Sequence, residues 1–500
     1  MKPTNRPRPR IRWIAAMLCA VALLGAACGG SDEGGSGGGS GGSGGSGDAD
    51  CPVDALESSD EPVEIVLWHA ILGLAAQTVE EFAEEYNASQ DQVTVRVESQ
   101  GNSYEEQQTK YTAALRDPNT LPQILLAEDT NTQFMIDSQS AVPAQSCIDA
   151  DPGSGEVYDQ LMPAVAEGYS VEGVQWPAAF GVSTPVIYYN KAHFTEAGLD
   201  PEAPPGNLAE IRSAAESILT ARPDSPPFVY RADAWWLENL ASKAGQAMVN
   251  ENNGRDGLAT ESELLNDTTT QWADWMVEMT NAGLQNTVAY SATFDAYLSV
   301  ANQQGSMLIE TSTASTTVDA LITGTLNAEN LGLDSGADLS GLKFPDLDIG
   351  VGQLPGLDEV GSGQIGGNAW YIVGAGATPE QIAASWDFLK WVNETEQQVK
   401  WTVQGSYLPV FSGAEEDPEL QAYFNDTRAG GWLAESLESL KQVNPEFPGP
   451  VIGPYKEFRT ALRAALENSL IGGEDITTAF DKADTEFQAA LDRYAQEVGG

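Results

Sequence analysis

The chain has 500 residues, 42% hydrophobic and 8% aromatic, and carries 73 acidic against 24 basic side chains for a formal charge of −49. One core rarely serves that length, so two lobes are expected, and twelve tryptophans argue against disorder. Charge of this sign repels nucleic acid and anionic lipid headgroups and excludes both as partners; the acidity itself serves solubility and names no ligand.

Residues 1–28 have the parts of a secretory signal with a lipobox-like end. A basic stretch, MKPTNRPRPRIR, leads into the apolar run WIAAMLCAVALLGAA, which ends at Cys28. That run is too short for a comfortable membrane span. Small residues before Cys28 resemble a lipobox, which places a lipid on Cys28 and the protein on the extracellular face of the membrane. Leu24 falls one place early for that pattern, with Gly25 in its position, so an uncleaved anchor or a plain secreted protein are the alternatives. A flexible tether is expected over residues 29–58, opening with the glycine- and serine-rich run 29–50. Cys51 and Cys147 remain beyond it. Their spacing fits no zinc motif, and an oxidising compartment favours a disulfide between them.

From Val63 onward short apolar runs alternate with helical patterns. VEIVLWHA reads as a buried strand, and Ala75, Val79, Phe82 and Tyr86 then line one helix face. VTVRVES is a strand, YEEQQTKYTAALRD a helix and QILLA a strand, an order that implies parallel β with helices on both faces. TPVIYYN resumes as a strand and LAEIRSAAESILTA as a helix. Ile382, Trp386 and Leu389 share a later helix face. Two amphipathic helices flank Gly472–Gly473 near the C-terminus. The fold class is α/β in two lobes.

Enzyme chemistry finds little support. The two histidines, His69 and His193, sit in no metal-binding spacing. No GxSxG elbow, P-loop or dinucleotide-binding glycine pattern occurs. The adjacent carboxylates Glu128 and Asp129 suit a hydrolase in principle, but such pairs arise by chance among 73 acidic residues. A tethered hydrolase and a surface adhesion protein stay as remote alternatives, and no metal or organic cofactor is expected.

The run STPVIYYNKAHFTEAGLDPEAPP (183–205) resembles the signature of family 1 extracellular solute-binding proteins of ABC transporters. QIGGNAWYIV (364–373), WDFLKWVNETEQQVKW (386–401) and GSYLPV (405–410) follow in the family's order, so the resemblance covers residues 63–495. It implies a type II periplasmic-binding-protein-like fold with the ligand cleft between lobes. One lobe would take residues 59–185 with 370–430 returning to it, the other 186–365 with 431–500. Within the family, WHAILG, GNSYEEQ and IGPYKEFR resemble binding lipoproteins for glycerol 3-phosphate and glycerophosphodiesters. The implied partners are a small-molecule solute and the permease subunits of an importer, with this chain a monomer.

That resemblance implies ligand contacts at Tyr104, Asp129, Ser183, Ser312, Gly367, Tyr407 and Arg459, with Glu128 one place from Asp129. A carboxylate accepts ligand hydroxyls, serines and a backbone amide donate to phosphate oxygens, Arg459 offers a charged planar fork, and the tyrosines offer a stacking face and a hydroxyl. Each has a bland competitor: core aromatics, an exposed helix arginine, a helix-capping serine, a glycine kept for backbone geometry. Where related proteins carry an aromatic, RADAWWLEN (231–239) aligns Arg231, with Trp235 or Trp236 able to substitute. The ligand class therefore stays open between a glycerophosphate compound and a neutral sugar or oligosaccharide.

Overall fold

The computed structural model describes residues 51–59, 61–326 and 343–498. The signal, Cys28 and residues 29–50 lie outside them. The expected tether boundary at residue 58 is corrected: the folded chain already includes residues 51–58. Residues Val53–Ser58 form a 3₁₀ turn with Leu56 buried, and Cys51 is disulfide-bonded to Cys147 within the first core.

Two sheets carry the fold. The first is built from β1 (Val63–His69), β2 (Val93–Ser99), β3 (Ile124–Glu128) and β4 (Ala141–Val142); after a small hairpin of β5 (Ser170–Val171) and β6 (Val174–Gln175), β7 (Ala178–Ser183) joins it. The second contains β8 (Pro185–Asn190), β9 (Phe228–Arg231), β10 (Gln285–Val288), β11 (Met307–Thr311) and β12 (Ile349–Gln353). The chain then returns to the first sheet as β13 (Gly366–Val373), giving the order β2-β1-β3-β13-β4 with β7 on β13.

β1, β2 and β3 are parallel, with Val63 opposite Val93 and Leu67 opposite Ile124, as the strand–helix alternation predicts. β13 runs antiparallel to β3, β4 and β7, and β8 runs antiparallel to β11 and β12. These reversed strands follow from the crossings. A chain arriving from the other sheet enters against the local strand direction.

Burial explains the helices. Gly73–Ser89 buries Val79, Phe82 and Tyr86 on the first sheet. Leu208–Ala221, capped by Asn207, buries Leu208, Ile211, Ala215 and Ile218 on the second. Pro379–Val392 starts at a capping box of Thr378 and Gln381 and buries Trp386 and Leu389. Tyr455–Leu466 and Ile476–Val498 pack on the second core through Phe458, Leu462, Phe480 and Phe487. Among the described residues no helix is long and apolar enough to cross a membrane.

The first passage between sheets is a single residue, Thr184, between β7 and β8. Thr184 is fully buried, and its backbone exchanges hydrogen bonds with Ser312: the Ser312 N–H donates to its carbonyl at 2.9 Å and its own N–H donates to the Ser312 hydroxyl at 3.3 Å. The second passage lies between β12 and β13, and the third runs through the helix Arg428–Lys441, which buries Leu433 and Leu437 against the first lobe and Trp432 against the second.

The disulfide closes a separation of 96 residues and ties the start of the folded chain to the first core. Replacing Cys51 and Cys147 by serine should lower the unfolding free energy by about 2–4 kcal/mol in urea titrations.

Candidate functional site

The carboxyl ends of β1–β3 open toward the second lobe, the side of such a sheet where ligands gather. Facing them is the helix Tyr455–Leu466. Phe458 and Leu462 are drawn into the core, which turns Arg459 and Arg463, four residues apart, toward the first lobe.

Arg459 is caged by carboxylates. Its Nε and Nη2 donate to the two oxygens of Glu238 at 2.8 and 2.9 Å, and its Nη1 donates to Glu128 at the end of β3 at 2.5 Å. Glu238 is fully buried and also accepts from the Tyr455 hydroxyl at 2.7 Å and the Gln364 amide at 3.4 Å. The fork expected to be free for phosphate is thus engaged on every nitrogen. Two of those bonds stay within the second lobe and the third reaches across the cleft.

A second layer lies beside it. Arg231 donates to both oxygens of Glu310 at 2.9 and 3.0 Å and to Asp233 at 2.9 Å, so its head is spent on ion pairs. The Tyr290 ring lies 4.9 Å from the Arg231 guanidinium and 3.5 Å from that of Arg463. Arg463 reaches Glu105 of the first lobe at 3.3 Å. Arg231, Arg459 and Arg463 are outnumbered by Glu105, Glu128, Asp129, Asp233, Glu238 and Glu310, so the cleft keeps an excess of negative charge. Asp129 answers part of it by holding a proton. Burial, reinforced by the charge of Glu128 and opposed by that of Arg459, pushes its carboxyl up to about 8.

The first-lobe wall is aromatic and polar at once. Tyr407 stacks on Trp401 with centroids 4.8 Å apart and planes 6° from parallel. Tyr104, at the start of the helix Tyr104–Ala114, lies beside the Tyr407 phenol, and burial raises both hydroxyls' pKa. Beside both phenols is Asn368 of β13, fully buried, whose amide atoms make no hydrogen bond of ordinary length and angle among the described residues.

The other expected residues are placed as follows. Ser183 ends β7, opposite Gly366 of β13, and is buried. Ser312 is fully buried and holds Thr184 at the crossing; it is not the helix cap offered as its alternative role, since Thr311 caps that turn. Gly367 has φ +123°, and a Cβ there would stand 2.7 Å from the Gly181 carbonyl oxygen, so glycine is required by the backbone. Trp235 lies over Gly366 at the cleft floor. Trp236 does not reach the cleft; it is 2% exposed and packs against Phe228, Tyr230, Trp272 and Trp275 in the second core.

The lobes touch at several further points. Ser406 donates to Thr316 at 2.8 Å, Arg255 donates to the carbonyls of Glu167 and Ser170 at 3.0 and 2.8 Å, and Tyr494 donates to Asp137. The cleft survives as small chambers. One of about 130 Å³ lies between Leu72, Ala75 and Tyr407 of one lobe and Thr313 and Thr316 of the other; one of about 30 Å³ adjoins Asp129 and Arg459.

Glu238, Arg463, Tyr455 and Asn368 were missed by sequence reasoning. Two had a signal: Glu238 is a charge inside the apolar stretch WWLENLA, and Arg463 falls one helical turn after Arg459. Asn368 and Tyr455 had none.

The profile of the family described as bacterial extracellular solute-binding protein matches residues 80–425. The sn-glycerol-3-phosphate-binding periplasmic protein UgpB of Pectobacterium atrosepticum is 25% identical over 464 residues, 90% of this chain and 96% of the relative. Among solved structures, UgpB from Mycobacterium tuberculosis in complex with glycerophosphocholine superposes with a TM-score of 0.68 at 18% identity, over 87% of this chain and 100% of that one. The sugar-binding protein MalE from Xanthomonas citri gives a TM-score of 0.69 at 15% identity, over 87% and 98%.

Two outcomes are expected here. Glu238→Ala leaves Arg459 buried with a single partner, so unfolding in urea should show a loss of about 3–5 kcal/mol. For Asp129 the folded form keeps a proton that the unfolded chain releases, so stability falls as pH rises from about 4 to about 8 and is constant on either side. The melting temperature of Asp129→Asn should therefore match wild type below pH 4 and gain several degrees on it by pH 8.

Proposed function

The chain belongs to the bacterial extracellular solute-binding proteins, and on that footing we propose both its ligand and how the ligand is held. It is the substrate-binding subunit of an ABC importer, working with membrane permease subunits. The ligand in this reading is glycerol 3-phosphate or a glycerophosphodiester, captured between the lobes by closure.

The observation that carries this is the divided loyalty of Arg459. Glu238 fixes its Nε and Nη2 within the second lobe, while only Nη1 is committed to Glu128 across the cleft. A ligand phosphate takes that one corner. Glu128, released, and Asp129 then face the ligand hydroxyls as acceptors, with Ser183 and Tyr407 nearby. The phosphate contact is thus one edge of the guanidinium rather than the bidentate fork the sequence suggests. Phosphate takes the place of one carboxylate on Arg459, so the guanidinium stays neutralised when ligand arrives.

The acidic excess of the cleft favours a second reading, a neutral sugar or oligosaccharide that leaves Arg459 with Glu128. In either case the protein is a monomeric, non-enzymatic trap, held by lipid on Cys28 at the extracellular face of the membrane.

Calorimetric titration with glycerol 3-phosphate, glycerophosphocholine and maltose separates the readings. The glycerophosphates should bind, and Arg459→Lys, which keeps the charge without the fork, should weaken them by about 100-fold. Maltose binding alone, unchanged in Arg459→Lys, overturns the phosphate reading in favour of the sugar. No heat with any of the three overturns both.

A further inference from the structure

Asn368 lies where β13 meets the cleft. Opposite Glu128 on β3 and Gly181 on β7, it shares with Glu128 the sheet face that points toward Tyr104 and Tyr407. Its backbone is pinned: its carbonyl accepts the Tyr169 hydroxyl at 3.0 Å, and the β13–β7 register shifts between Asn368 and Trp370. Its side chain is not. The residue is 0% exposed, yet neither Oδ1 nor Nδ2 makes a hydrogen bond of ordinary length and angle among the described residues; the Tyr104 and Tyr407 phenols lie close enough to be influenced by the amide.

An interior amide is normally paired, because leaving it unpaired forfeits the hydrogen bonds it made to water. A leucine, branched at the same atom though somewhat larger, would suit the core below, which continues along this strand face as Trp370 and Ile372. An unpaired asparagine at the mouth of that core is a cost to the ligand-free fold with one evident return. We propose that Asn368 is a specificity-determining residue, its amide donating to one ligand hydroxyl and accepting from a second on the adjacent carbon. The inference rests on the cleft being the ligand site, and it deepens that reading by naming a vicinal diol as the feature recognised on the first-lobe wall. The carboxylate of Glu128, opposite Asn368, repels a phosphate there, so this wall takes the polyol end of a ligand whatever its other end carries.

The test compares wild type with Asn368→Leu and the near-isosteric Asn368→Asp. Titrations use glycerol 3-phosphate, maltose and propyl phosphate, which keeps the three carbons and the phosphate and lacks both hydroxyls. Melting curves without ligand are recorded alongside. For the diol ligand that wild type binds, Asn368→Leu should weaken affinity by about 10-fold or more and Asn368→Asp by a similar factor. Propyl phosphate should change by less than about twofold. The ligand-free melting temperature of Asn368→Leu should equal or exceed that of wild type. Undiminished diol binding in Asn368→Asp overturns the assignment, as does equal weakening of propyl phosphate. Failure of wild type to bind any probe removes the cleft reading and Asn368 with it, whereas wild-type binding that ignores both substitutions removes Asn368 alone.

Discussion

A guanidinium cannot give up its proton to escape a buried position, so Arg459, 8% exposed, must be neutralised where it stands. That constraint organises the cleft. Glu238 supplies the neutralisation from a fully buried site and is itself completed by Tyr455 and Gln364. The pair locks the helix Tyr455–Leu466 to the helix Trp235–Lys243. Buried ion pairs bring little net stability, because desolvation offsets attraction. What this one brings is direction: it aims one remaining N–H at the other lobe.

Closure then becomes a problem of charge. The first lobe presents Glu105, Glu128 and Asp129 to a wall that already carries Asp233, Glu238 and Glu310. The three arginines and the proton on Asp129 make that approach tolerable. The contacts of Arg231 and Arg463 with the Tyr290 ring extend the same device sideways, since an aromatic ring attracts a guanidinium without adding charge. Hydroxyls fit this environment readily. Anions fit only where an arginine corner is exchanged for them.

The sheets position these groups through the crossings. Thr184, held on both sides by Ser312, fixes where β7 becomes β8. Gly367 lets β13 come against β7 at a distance no side chain permits. The same strand delivers Asn368 to the cleft and Trp370 to the core, so the site and the hydrophobic interior are two ends of one surface.

Much of this was legible in the linear chain. Strand and helix periodicities placed β1, β2, β3 and β8 and the helices packed on them, because alternation of apolar residues is a local property of each segment. The family-like runs marked Tyr104, Asp129, Tyr407 and Arg459, which border small cavities, Ser183, which ends β7 in a buried position, and Gly367, which β13 places against β7. Only the tertiary structure decided their partners. That Arg459 is bound by Glu238 and Glu128, 221 and 331 residues away, that Trp236 turns to the core while Trp235 lies over Gly366, and that the Asn368 amide makes no hydrogen bond of ordinary length and angle among the described residues depend on which elements meet after three crossings. A sequence specifies a residue's chemistry and its local face. Whether that chemistry is spent or free is set by neighbours brought from far along the chain.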